Sequence, residues 1–172
     1  VCSPINLYIA FAMLAETSDG NTRQQILDML GAQDMDTLRE NVSSLWESNY
    51  ADTPALKSVL ANSLWLDKEE TYNDTTLQRL AEQYYASTFR GTPGSKEMDQ
   101  ALQTWTDNNT GGLLKEYTKD MAIAPDTVFE LVSTIYYKAM WRENFWEVNT
   151  EKETFHGTAG AVSYTHLTLP TT

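Results

Sequence analysis

Few side chains in this sequence carry reactive chemistry, and their spacing argues against most of the reactions they would support. His156 and His166 are the two histidines and Cys2 is the one cysteine. Neither histidine falls in an H-E-x-x-H motif or in a Cys/His spacing that would hold zinc. Nucleophilic catalysis would need Cys2 or a serine beside one of these imidazoles, yet there is no G-x-S-x-G elbow and no glycine-rich oxyanion loop. Gly111-Gly112 is too short to cradle a phosphate and reads as a helix stop. The run Asp67-Lys68-Glu69-Glu70 lacks a calcium-loop pattern and reads as a solvated turn. We therefore expect no catalytic residues, no metal site and no cofactor: the chain is not expected to be an enzyme.

Other residues that invite a functional reading have ordinary structural ones. Trp46 and Trp105 fall on apolar helix stripes, and Trp65 and Trp141 on strands, so core packing accounts for them. Asn41, Asn73 and Asn108 begin Asn-x-Ser/Thr sequons and would accept glycans in a eukaryotic secretory pathway, although a chain this rich in Ser and Thr forms about two by chance.

The composition sets outer bounds. A chain of 172 residues, 41% hydrophobic, is globular and long enough for one domain or part of one. Twenty-four acidic against 12 basic residues give a formal charge of -12, a field that repels nucleic acid and anionic lipid. One cysteine excludes an internal disulfide framework. No apolar run approaches the ~20 residues that cross a bilayer, so no membrane span is expected. The chain opens on VCSPINLYIAFAML without a methionine, and its true start is expected upstream.

These side chains must be positioned by elements that the apolar periodicity predicts. Ile5 to Glu16 reads as a helix after Ser3-Pro4, apolar all round and so buried. Thr22 and Gln25 have capping-box spacing for a second helix that stops at Gly31. Asp36 is expected to cap a third, with Leu38, Val42, Leu45 and Trp46 as its stripe. Residues 55 to 66 alternate as a long strand, Asn73 or Asp74 caps a fourth helix, STFRG is a short strand, and Ser95 begins a fifth helix carrying Met98, Ala101, Leu102 and Trp105. A further strand is expected around Thr154 to Val162.

The stretch FELVSTIYYKAMW, Phe129 to Trp141, is the anomaly. Leu131, Ser133, Ile135, Tyr137, Ala139 and Trp141 share one side of a strand, and Val132, Thr134, Tyr136 and Met140 the other. Neither side suits water, so both are expected to be covered.

Four colinear blocks bear on this. SPINLYIAFAML with TRQQILDML resembles the S-P-x-S-I-x-x-A-L-A-M-L…T-x-x-Q-I-x-x-x-L signature of serpins, the serine protease inhibitor fold. ANSLWLDK is similar to the family's N-x-L-[FW]-[LV] strand, LQTWTDNNTGGLLKE to its I-N-x-W-V…T-x-G-x-I helix end, and LVSTIYYKAMWRENF to L-V-N-x-[IL]-[YF]-[FL]-K-G-x-W-x-x-x-F. The resemblance runs from Ser3 to about Val162. It departs at Asn6, where the family usually has Ser, at Gln103 and Ser133, where it usually has Asn, and at Ala139, where it usually has Gly.

The resemblance implies a mixed α+β fold: the N-terminal half of a serpin, with five helices and strands of the large central sheet. Residues 1–162 would be the partial serpin domain and 163–172, SYTHLTLPTT, a tail departing from the family pattern. It places Ser3, Pro4, Asn6, Gln103, Ser133, Lys138 and Trp141 in or near the region through which the sheet opens. It implies a parent that is a suicide-substrate inhibitor of serine, or cysteine, proteases, by insertion of a reactive loop absent from these residues. The fragment itself would be inactive, self-associating through open sheet edges, and extracellular by resemblance alone. Non-inhibitory serpins acting as carriers or chaperones, and an independent protein-binding domain, are the alternatives.

Overall fold

Helix starts in this chain are set by side chains that accept main-chain N–H groups. In the computed structural model, which describes residues 3–141, 150–157 and 160–167, Ser3 caps helix α1 (Pro4–Thr17) by accepting from Asn6 N–H, with Pro4 in the first turn. Helix α2 (Gly20–Leu30) starts two residues before the expected capping box: Asp19 accepts from Gly20 N–H and pairs with Arg23 at 3.4 Å. Helix α3 (Met35–Asn49) is capped by Asp34, whose carboxylate accepts from Thr37 N–H at 2.7 Å. The expected cap, Asp36, instead lies in the first turn and pairs with Arg39. An extended residue whose carboxylate reaches the N–H three residues on wins over one already inside the turn. Asn73 caps α4 (Asp74–Gln83) and Ser95 caps α5 (Lys96–Asn109) as their spacing predicts.

A sheet runs through residues 3–139. Strand β2 (Leu56–Asp67) is central. Strand β4 (Phe129–Ala139) pairs with it antiparallel along its length, from Leu56 opposite Ala139 to Leu66 opposite Phe129. On the other edge of β2 lie the short antiparallel β1 (Ala51–Asp52) and the parallel β3 (Ala86–Gly91). Trp65 opposes Phe89 and their rings stack 4.2 Å apart.

Each face of this sheet has its own core. On one, Leu64, Leu66 and Leu131 pack with Ile9, Ala12 and Met13 of α1 and with Leu27, Leu38, Val42, Leu80 and Tyr84. On the other, Trp65 and Val132 pack with Met98, Leu102 and Trp105 of α5 and with Ile123. Successive strand residues point to opposite faces, so Leu131 and Val132 show β4 lying between α1 and α5.

Three expectations need correction. Beyond the five helices there is a one-turn α6 (Lys115–Thr118), too short to register as periodicity. The strand at Thr154 to Val162 is a hairpin, β5 (Thr150–Gly157) antiparallel to β6 (Gly160–Leu167), with Gly157 opposite Gly160. The chain divides into compact units Val1–Ala139 and Met140–Thr172, and this hairpin belongs to the second. Thirdly, the strand is covered on both faces only over part of its length: Leu131, Val132 and Ser133 are half-buried and Thr134 is buried, whereas Ile135, Tyr137, Met140 and Trp141 are exposed, Tyr137 by 66%. Leu7 and Phe11 of α1 are exposed as well, so α1 is not buried all round. Among the described residues no helix is long and apolar enough to cross a membrane.

Candidate functional site

The N-terminus of α1 meets the middle of β4. Asn6 donates from Nδ2 to Ser133 Oγ at 2.8 Å, across 127 positions of sequence, and Ser3 Oγ lies 3.2 Å from Asn6 Oδ1 while capping the helix. Ser3, Asn6 and Ser133 thus form one clasp between the helix layer and the sheet, and the exposed Pro4 only opens the helix that carries it. The two departures from the resembled pattern are reciprocal. Where serine is usual on the helix and asparagine on the strand, here asparagine is on the helix and serine on the strand, and a hydrogen bond joins the two. Either pairing supplies one long amide and one short hydroxyl to span one gap.

Gln103 does not join this clasp. It lies on α5, against the other face, and donates from Nε2 to the carbonyls of Lys119 (3.2 Å) and Met121 (2.9 Å). Asp99 and Asp107, one helical turn either side, do related work: Asp99 accepts from Ile123 N–H and Asp107 from Thr118 Oγ1. Spacing of i, i+4, i+8 makes one stripe of α5 that holds the 118–123 segment. Lys138 is exposed at the far end of β4, opposite Lys57, and Trp141 follows the strand, 73% exposed.

The outer edge of β4 is open among the described residues. Val128 C=O accepts from Asp67 N–H. By strand alternation the main-chain groups of Leu131, Ser133, Ile135 and Tyr137 point away from β2. The clasped residue, Ser133, therefore offers its backbone to whatever lies along that edge.

A second cluster was missed from sequence. Glu16, its side chain 1% exposed, sits near the end of α1 and accepts two hydrogen bonds from Arg39 of α3, each 2.9 Å. It also meets Arg79 of α4 at 3.4 Å and Tyr84 Oη at 3.2 Å. Burial pushes the Glu16 carboxyl up, but hydrogen bonds and charge from Arg39, with Tyr84 and Arg79, outweigh it and hold the carboxyl below its ordinary value. Burial, then the neighbouring carboxylate, pushes the Tyr84 hydroxyl up, so it stays a donor. The available signal was a lone acid on an apolar helix.

Nothing in either cluster resembles a reaction centre. The Asp67–Glu70 run is a turn in which Asp67 accepts from Glu69 N–H. Among the described residues no three His, Cys, Asp or Glu side chains gather to hold a metal. His156, His166 and Cys2 have no described side chains.

A family model described as Serpin (serine protease inhibitor) matches residues 1–166. This chain belongs to the serpin family. It is 30% identical to human antithrombin-III over 170 residues, covering 92% of this chain and 36% of that protein. It is 27% identical to serpin-ZX of Arabidopsis thaliana over 161 residues, 91% of this chain and 41% of the relative. An Arabidopsis serpin in its native stressed conformation superposes with a TM-score of 0.79 at 26% identity, over 97% of this chain and 44% of that one. Emu ovalbumin superposes equally well, TM-score 0.79 over 96% of this chain, at 16% identity, a likeness of fold alone. The serpin chain in hand thus spans less than half the length of these relatives. Its α1, central sheet and α5 are the N-terminal part of the serpin fold.

Proposed function

We propose that the protein of which this chain is part inhibits serine-type endopeptidases as a suicide substrate, a cleaved reactive loop entering the sheet beside β4. The supporting observation is the outer edge of β4, unpaired among the described residues, backed on both faces at Leu131 to Thr134 and clasped to α1 through Asn6 and Ser133. A strand added there gains main-chain hydrogen bonds worth about 0.5–1.5 kcal/mol each. Withholding that strand until a protease cuts the loop stores the free energy that traps the protease. On this reading the chain has no catalytic activity of its own, and the 172 residues without a reactive loop form no adduct.

The full-length protein, incubated with trypsin-, chymotrypsin- and elastase-like proteases, should give a covalent adduct that survives a denaturing gel with at least one of them. Cleavage of the loop with no adduct in every case would mean a non-inhibitory serpin instead.

A further inference from the structure

The three sequons are not equivalent once folded. Asn41 lies within α3 and is followed by buried Val42 and half-buried Ser43. Asn108 lies in the last turn of α5, and the hydroxyl of its sequon, on Thr110, is buried and donates to Thr106 C=O at 2.8 Å. Asn73, Asp74 and Thr75 are all exposed. Asn73 itself precedes α4 in extended backbone, φ -75 and ψ 112. Its Oδ1 accepts from Thr75 N–H at 2.9 Å and from Thr76 N–H at 3.2 Å. The carbonyl end of the amide therefore faces the helix, and Nδ2, the atom that would be glycosylated, makes no hydrogen bond among the described residues.

We propose that Asn73 is an N-linked glycosylation site, the most fully occupied of the three. Transfer from a polyisoprenyl-pyrophosphate oligosaccharide breaks the bond between sugar C1 and the pyrophosphate oxygen and forms one from C1 to Nδ2. One Nδ2 proton leaves with the pyrophosphate, and nothing is oxidised or reduced. The product keeps Oδ1, so the helix cap and the glycan coexist on one side chain. The hydroxyl partners of Asn41 and Asn108 are covered, Ser43 half-buried within α3 and Thr110 buried at the end of α5, whereas Thr75, in the first turn of α4, is exposed. Asn73 and Thr75 stay accessible in the folded chain.

The test is to secrete the chain from a eukaryotic host, release glycans enzymatically in heavy-oxygen water and map the labelled peptides. Asn73 should carry the label at higher occupancy than Asn41 or Asn108, and Thr75→Ala should abolish it. Thr75→Ala leaves the Asn73 amide and its cap in place without the glycan, so its thermal transition should lie close to that of the glycosylated wild type. An unlabelled Asn73, or one less occupied than either other site, overturns the proposal. A glycosylated wild type that melts well below Thr75→Ala would show that the coexistence of cap and glycan is wrong.

Discussion

At the scale of single residues, the clasp and the buried acid make separate predictions. The Asn6–Ser133 bond is a reciprocal exchange of residue types, so its members should be coupled. Asn6→Ser or Ser133→Asn alone should each cost about 1 kcal/mol, the worth of one hydrogen bond. The double variant should recover most of that loss, a coupling of about 0.5–3 kcal/mol in urea denaturation. Simple additivity would mean the two side chains act independently. Glu16 makes a prediction in pH. Its carboxyl is depressed in the folded chain, so its stabilisation is complete above its ordinary value of 4.5 and is lost as pH falls through the lower folded value. Glu16→Gln should flatten the stability profile on the acid side of 4.5. Glu16→Ala, which leaves the half-buried Arg39 with only the exposed Asp36 as a charged partner, should cost about 1–3 kcal/mol at neutral pH. An unchanged acid transition in Glu16→Gln would remove the carboxylate from the account.

At the scale of elements, the junction after α5 shows how a helix end is fitted to a sheet. Gly111 (φ +61) and Gly112 (φ +72) both occupy left-handed backbone, and Gly112 N–H closes the helix on Asp107 C=O at 2.8 Å. A Cβ on Gly111 would meet the Tyr136 ring at 2.6 Å, whereas one on Gly112 would meet nothing within 4 Å. Gly112→Ala should therefore cost only the backbone term, about 1–2 kcal/mol, and Gly111→Ala distinctly more. Equal losses would show that the ring moves aside freely. The helix bodies, the long strand β2 and the caps at Asn73 and Ser95 were legible, because each rests on local periodicity or a cap next to its helix. Asp19 and Asp34 were missed as caps because Thr22 in one helix and Asp36 in the other also offer a capping oxygen, and the outcome depends on which side chain reaches an N–H. The hairpin β5–β6 was merged into one strand although Gly157 and Gly160 mark the reversal, because a lone glycine in a strand pattern reads equally as a bulge.

At the scale of the whole molecule, apolar residues are left at the surface in several places. Leu7 and Phe11 of α1, Leu113 and Tyr117 after α5, and Ile135 and Tyr137 of β4 are exposed, the last two on a strand whose outer edge is unpaired among the described residues. Such an edge is a template for pairing with another chain. The 172-residue chain should therefore self-associate, its apparent mass in light scattering rising with concentration. A sharp thermal transition independent of concentration would contradict this. The expectation that both faces of Phe129 to Trp141 are covered holds for Leu131 to Thr134, where α1 and α5 cross the strand, and ends at the exposed Ile135.

What the sequence determined by itself was the sort of molecule: helices and strands by period, an acidic surface by charge, and serpin membership by four blocks in order. These follow from local spacing and composition, which need no knowledge of what touches what. The tertiary structure alone decided partners. It joined Asn6 to Ser133 across 127 positions, moved Gln103 to the opposite face, and surrounded Glu16 with three side chains from two other segments. Contacts between distant segments depend on where each element's faces point once packed, and no periodicity along one segment encodes its neighbour's orientation.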